Sequence, residues 1–331
     1  GGGIIIDGGT AAGWQPPLWV EQRPLQQKRQ LDLTWYVPSL LGAHSSKPEM
    51  YISHLLGHEA EGSVVAALKA EGLAVSLCAG LDHDDHTSLA APLSVQIDLT
   101  PAGLADPDRV VELVLMGLGM LARAPVERWV WEELRDTAAM RFIHAEAEPE
   151  IDYVRRLAIS LQQAYPPDET LSAEALMTDF RPEGIRDLLA KLTPSAVIVS
   201  LLADDHGASN DGGAGGAGGR GGAWQVEPWF GTQYRASAVS DARLARWTAA
   251  YAGSGTPPAS GALYFPPRNQ YIATDYSLRH AQTNAGRPAR TTPSLLVGSG
   301  QTRRDLGNLG NLFFKPDLAF ATPKVVVSLA V

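Results

Sequence analysis

The chain has 331 residues, 45% of them hydrophobic and 19% charged, which supplies a sizeable core and excludes a wholly disordered polypeptide. Acidic residues outnumber basic ones 36 to 27, for a net charge of −9, and no cluster of lysine or arginine stands out beyond the short run at Lys28-Arg29, so the chain lacks the footprint of a nucleic-acid binder. The single cysteine, Cys78, excludes an internal disulfide framework and a multi-cysteine zinc site and fits a reducing, cytoplasmic setting; no apolar run is long enough to cross a membrane.

Residues 1–24 are rich in Gly, Pro and Gln and read as an irregular arm; the opening GGGIII is too short, and lacks the basic flank, for a signal peptide. A half-buried strand follows at 31–38, with Leu31, Leu33, Trp35 and Val37 on one face and Asp32, Thr34 and Tyr36 on the other. Pro48 suits the first turn of a helix through 57. Ser63 can cap a second helix, with Val64, Ala67 and Leu68 inward and Gly72 at its end. Strands are expected at 73–79 and at 93–99, where Leu93, Val95, Ile97 and Leu99 alternate, with a polar loop at 80–88 between them.

Helices come next. Asp106-Pro107 opens one that carries Val110, Leu113, Val114, Leu118 and Leu121 at helical spacing and closes at Pro125. A long helix is expected over 126–146, and a third over 150–165 with Ile151, Val154, Leu157, Ala158 and Leu161 inward. A fourth spans 181–192, and the apolar run 196–203 has the length of a central strand. Segregated strands and helices of this kind predict an α+β fold with an antiparallel sheet packed with helices. The glycine-rich stretch 204–223 lacks the lysine and helix start of a phosphate loop and reads as a flexible insertion. Residues 224–277 read as an interdomain segment, 278–304 as a low-complexity insertion, and 305–331 as the first strand of a following domain, after a main domain over 25–203. The chain begins at Gly1 and ends in a strand with no evident partner, so a longer parent protein is expected.

The chemistry concentrates in His54-Leu55-Leu56-Gly57-His58-Glu59. Histidines at i and i+4 can share a helix face and hold a metal. A zinc peptidase also needs a carboxylate to take the proton of metal-bound water, placed before the second histidine in His-x-x-Glu-His. Gly57 fills that slot, so the ligand spacing survives and the base is missing. Glu132 and Glu133 are the downstream carboxylates that could be offered as a third ligand. The alternative reading is a pair of histidines packed near a helix end, with no bound metal.

Several segments, in order, resemble the insulysin, nardilysin and pitrilysin family of inverzincin metallopeptidases: residues 33–40, 51–80, 179–201, 227–234, 266–276 and 312–324. Within 51–80 the match is to the family pattern Y-x-x-H-L-I-G-H-E-G-x-G-S and the strand after it. The resemblance implies four related α+β units, of which only the first carries His-x-x-Glu-His. It identifies this chain with the second unit, whose active-site helix is degenerate, plus the start of the third. It implies zinc in the parent enzyme and none on this chain. The partners it implies are peptide substrates and the catalytic domain of the same parent chain.

In that family the second unit holds the peptide's N-terminus at an exosite, and by resemblance His54, Gly57, Glu59, Leu77 and Ala79 occupy its positions. Glu59 would pair with an α-ammonium group, Gly57 would allow close backbone approach, and the 73–79 strand edge would accept an extended peptide. Ala79 stands where the family usually has glycine, and Leu81 where it often has glutamine. Two functions follow: the non-catalytic, substrate-binding part of an insulysin-like zinc metalloendopeptidase, or a catalytically inactive peptide-binding or subunit-like module.

Overall fold

A computed structural model describes residues 15–26, 28–81, 86–145, 148–163, 165–204, 223–270, 272, 302–305 and 311–314. The glycine-rich stretch over 207–222, residues 278–301 of the second insertion and the β-branched run after 324 lie outside them. Two compact units emerge, one of residues 1–139 and 149–268, the other of 140–148 and 269–331.

The first unit is an α+β domain built on one seven-stranded sheet. Its strands are β1 (Leu18–Arg23), β2 (Arg29–Pro38), β3 (Ala74–Leu81), β4 (Ala90–Leu99), β5 (Ile198–Ala203), β6 (Gln225–Val226) and β7 (Gln233–Ala238), in the order β3-β4-β2-β5-β1-β7-β6. Every pairing is antiparallel except β1 with β5, which is parallel. The antiparallel expectation therefore holds with one exception. The alternation of β2 appears as expected: Leu31, Leu33, Trp35 and Val37 are buried and Tyr36 faces out. Leu93, Val95, Ile97 and Leu99 of β4 lie beside them on the same face. The opposite face is polar, with Thr34 and Ser94 hydroxyls 3.0 Å apart and Ser76 donating to Asp98 at 2.6 Å.

Helices α1 (Pro48–Leu56), α2 (Val64–Ala70) and α4 (Pro107–Arg123) form where their start signals stand, and a short helix not read from the sequence, α3 (Pro101–Ala105), precedes α4. Pro48 fills the first turn of α1, whose Tyr51, Ile52, Leu55 and Leu56 are buried. Ser63 Oγ accepts from the Ala66 N–H at 3.0 Å, and Asp106 accepts from the Arg109 N–H at 3.2 Å. Beyond them are α5 (Arg128–Ile143), α6 (Glu150–Gln162), α7 (Pro182–Leu189) and α8 (Asp241–Ala252).

Helix α4 is buried along most of its length and meets α8 at very close range. Gly119 is what permits this: a Cβ there would lie 1.8 Å from the carbonyl oxygen of Tyr251. Ion pairs flank the contact, Arg243 to Asp108 at 2.9 Å and Arg246 to Glu112 at 2.5 Å. Trp247 of α8 is fully buried, 6.4 Å from the ring of Trp19. Arg109 ties α4 to Glu71 at 2.7 Å and to the carbonyls of Thr256 and Pro257 at 2.9 and 3.0 Å.

Two sequence expectations are corrected. Leu18–Arg23, inside the stretch read as an irregular arm, is a strand wedged between β5 and β7. Leu18, Trp19, Val20, Glu21 and Gln22 are all buried, so the strand shows no alternation to read. Helix α6 forms, but its apolar face does not turn inward: Ile151, Val154 and Leu161 are 81%, 62% and 65% exposed. Helical periodicity reports that one face is apolar, not that anything packs on it. The anchor of α6 is instead Ser160, buried and donating to the Thr170 carbonyl at 2.6 Å.

The second unit contributes a two-stranded antiparallel ladder, β8 (Thr302–Asp305) with β9 (Asn311–Phe314). A strand therefore begins near where the following domain was expected to open, and part of β8 falls within the stretch read as insertion.

Gly119→Ala should destabilise the chain by about 1–3 kcal/mol, because backbone of α8 must retreat to admit the methyl group. Gly42→Ala, where a Cβ meets nothing within 4 Å, is the control. Thermal melts of the two variants beside wild type check this, and an unchanged midpoint for Gly119→Ala would show that α8 is not packed as described.

Candidate functional site

Helix α1 ends at Leu56, and Gly57 closes it by donating its N–H to the Ser53 carbonyl at 2.9 Å. His58 therefore lies beyond the helix rather than one turn along it. The two imidazoles still meet, edge to face, with ring centroids 5.5 Å apart. His58 Nδ1 accepts the N–H of Ala60 at 3.0 Å. In the neutral ring that bond puts the remaining proton on Nε2, which leaves neither nitrogen free to bind a metal. His54 is half-buried, and loss of water around its ring, followed by the nearby His58, pushes its pKa below the ordinary value.

Gly57 has φ of −83° and ψ of 1°, a conformation open to any residue. A Cβ there would lie 3.2 Å from the Ser53 carbonyl oxygen, tight but not forbidden. The missing general base is thus a matter of side-chain identity, not of backbone necessity. Among the described residues no group of three or more His, Cys, Asp or Glu is placed to hold a metal ion. Glu132, one of the two carboxylates considered from sequence, pairs within its own helix with Arg128 at 3.0 Å. The donor set around His54 and His58 does not fit zinc.

Glu59 follows in the loop between α1 and α2, with its Oε1 3.3 Å from Lys69 Nζ. The two side chains are 67% and 44% exposed, so the pair is solvated and weak. Both helices pack on β3, which is the outermost strand on its side of the sheet. Leu77 and Ala79 are registered opposite Ile97 and Val95 of β4. Leu77 is 9% exposed and Ala79 packs partly against the core, so their side chains are committed inward and the strand offers its backbone edge. Cys78, between them, is exposed.

Two neighbours of the site escaped sequence reasoning. Lys69 stands ten residues from Glu59 across a loop and a helix, a spacing with no periodicity to betray it. Tyr264 donates its N–H to the Gly62 carbonyl at 3.0 Å and lays its ring where a Gly62 Cβ would be. Gly62, at φ of 80°, marks a turn in the sequence but not the partner that covers it.

Fold and site together describe an α+β unit in which two histidines meet at a helix end with no carboxylate between them in sequence. A profile of the M16 peptidase inactive domain matches residues 15–137, and one of the middle or third domain of M16 peptidases matches residues 142–331. The chain belongs to the M16 peptidase family. It is 30% identical over 269 residues to a nardilysin-like protein of Arabidopsis thaliana, covering 81% of this chain and 24% of that protein. It is 27% identical over 312 residues to the peroxisomal insulin-degrading enzyme-like 1 of the same plant, covering 94% of this chain and 28% of that protein. The chain thus spans about a quarter of the length of these relatives. The crystal structure of pitrilysin shares the fold, with a TM-score of 0.68 at 21% identity over 79% of this chain and 25% of that one. The seam between the two profiles, near residue 140, falls before β5, β7 and α8, so strands matched to the middle domain complete the sheet of the inactive one.

Two outcomes follow from this geometry. The purified chain, given zinc, should not hydrolyse peptides, and Gly57→Glu should not confer hydrolysis, because a base without a third ligand and a free His58 nitrogen has no metal-bound water to activate. Chelator-sensitive hydrolysis lost on His58→Ala would overturn that. The second outcome concerns pH. Folded His54 resists protonation, whereas in the unfolded chain it titrates near its ordinary 6.5. Stability from this residue is therefore full above about pH 6.5 and declines as the pH falls below it. Urea titrations between pH 7.5 and roughly 5 should show that decline flattened in His54→Gln.

Proposed function

We propose that this chain is the non-catalytic, substrate-holding portion of an insulysin-like zinc metalloendopeptidase, acting on small peptides beside a catalytic domain of the same parent protein. The observation that carries the reading is the arrangement at one margin of the sheet: an edge strand, two helices resting on it, a solvated carboxylate in the loop between them, and no metal-binding donor set among the described residues. Zinc and the hydrolytic base belong, by family resemblance, to another unit of the parent.

An extended peptide would add to the free edge of β3 near Leu77 and Ala79 by backbone hydrogen bonds. Its α-ammonium group would pair with Glu59, a charge-assisted contact. Gly57 presents no side chain to the incoming backbone. Neutral His54 can offer one nitrogen as donor or acceptor without adding a positive charge that would repel the ammonium group. An exosite of this kind raises the local concentration of substrate at a separate active centre and selects peptides with free amino termini.

Titration calorimetry with a short peptide tests the reading. Glu59→Gln should weaken binding about two- to tenfold. Acetylating the peptide's N-terminus should cost the wild-type chain a similar factor and cost Glu59→Gln little more, since both changes remove one interaction. Additive losses, or no effect of acetylation, would reduce Glu59 to an ordinary loop carboxylate.

A further inference from the structure

Lys69 sits in the last turn of α2 with its ammonium group 3.3 Å from Glu59 Oε1. We infer that Lys69 is a built-in competitor for the carboxylate that receives the peptide's N-terminus, and so sets both the affinity of the site and its indifference to salt. The inference rests on the exosite reading of Glu59 and adds a residue to it. The two ammonium groups, one on a lysine and one on a peptide end, carry the same charge and offer the same three donors. In the absence of peptide, Glu59 is satisfied by the first. Binding then exchanges one solvated ion pair for another rather than creating a new one.

Displacement, rather than sharing, follows from charge. Two ammonium groups held on a single carboxylate lie within a few ångströms of each other, where like charges repel even in high dielectric. Lys69 is free to leave: its side chain is 44% exposed, it sits on a flexible four-carbon stem, and its exit costs only a weak surface pair. Once displaced, it remains beside the edge of β3, because α2 packs on that strand. The released ammonium then stands where the first residues of the peptide would run. A free amino terminus followed by an acidic residue is the substrate class such a site would favour.

The consequence for salt separates competition from a merely structural role. In wild type one ion pair is lost as another forms, so peptide affinity should change little with ionic strength. In Lys69→Met, where the stem is kept and the charge removed, a new pair forms on binding and affinity should fall as salt rises.

The test is calorimetry of the whole chain with a free-amino-terminus hexapeptide and its N-acetylated form, at low and at physiological salt. Lys69→Met should bind the free peptide about two- to fivefold more tightly than wild type at low salt and bind the acetylated peptide no better. Lys69→Arg, which restores a competing cation, should return both affinity and salt response toward wild type. Weaker binding by Lys69→Met would show that Lys69 holds Glu59 in position instead, and would overturn the inference. So would unchanged binding in a chain where Glu59→Gln and acetylation still cost affinity, an outcome that leaves the exosite standing. If neither Glu59→Gln nor acetylation matters, the exosite and the competitor fall together.

Discussion

The sheet of this chain offers one apolar face, and that constraint organises the rest of the unit. Leu31, Leu33, Trp35 and Val37 of the central strand point to the same side as Leu93, Val95, Ile97 and Leu99 of its neighbour. The apolar parts of α1, α2 and α4 join these strand residues in one continuous core. The other face is polar across β2, β3 and β4, with its Thr34–Ser94 and Ser76–Asp98 contacts, and becomes buried toward β1, at Leu18 and Val20. Crowding helices on one side then forces close approaches, and glycine is the residue that pays for them at Gly119 and at Gly117, where a Cβ would meet Val64 at 2.3 Å.

The same constraint creates the site. With β4 flanked by β2 on one side, β3 is left as the sheet's margin, and α1 and α2 rest upon it. Helix ends and an open strand edge converge there for packing reasons alone. Gly57 brings no side chain to the two imidazoles, and local bonds occupy them: His58 accepts a backbone N–H, and half-buried His54 sits in a site that disfavours its charge. The corner keeps a backbone edge at β3 and a solvated carboxylate at Glu59.

Ion pairs divide in the same way between structure and function. Arg109 with Glu71, at 14% exposure for each side chain, and Arg243 of α8 with Asp108 of α4 are shielded and clamp elements distant in sequence. The Glu59–Lys69 pair is solvated, weak and therefore exchangeable.

Sequence alone determined the fold class, most elements and the family, because alternation in β2 and β4, the caps Ser63 and Asp106 and the ordered motif segments are local signals that survive in one dimension. It also determined that no carboxylate precedes the second histidine, since Gly57 is a matter of identity. Tertiary structure alone decided the rest. The strand Leu18–Arg23 is buried on both faces and has no alternation, so only its pairing with β5 and β7 reveals it. The apolar face of α6 is plain in sequence, but its exposure depends on what lies next to it. His58 falls outside its helix because α1 ends at Leu56, two residues sooner than the histidine spacing suggests. Lys69 reaches Glu59 only because α2 folds back beside the loop that precedes it, a proximity in space that no spacing along the chain encodes.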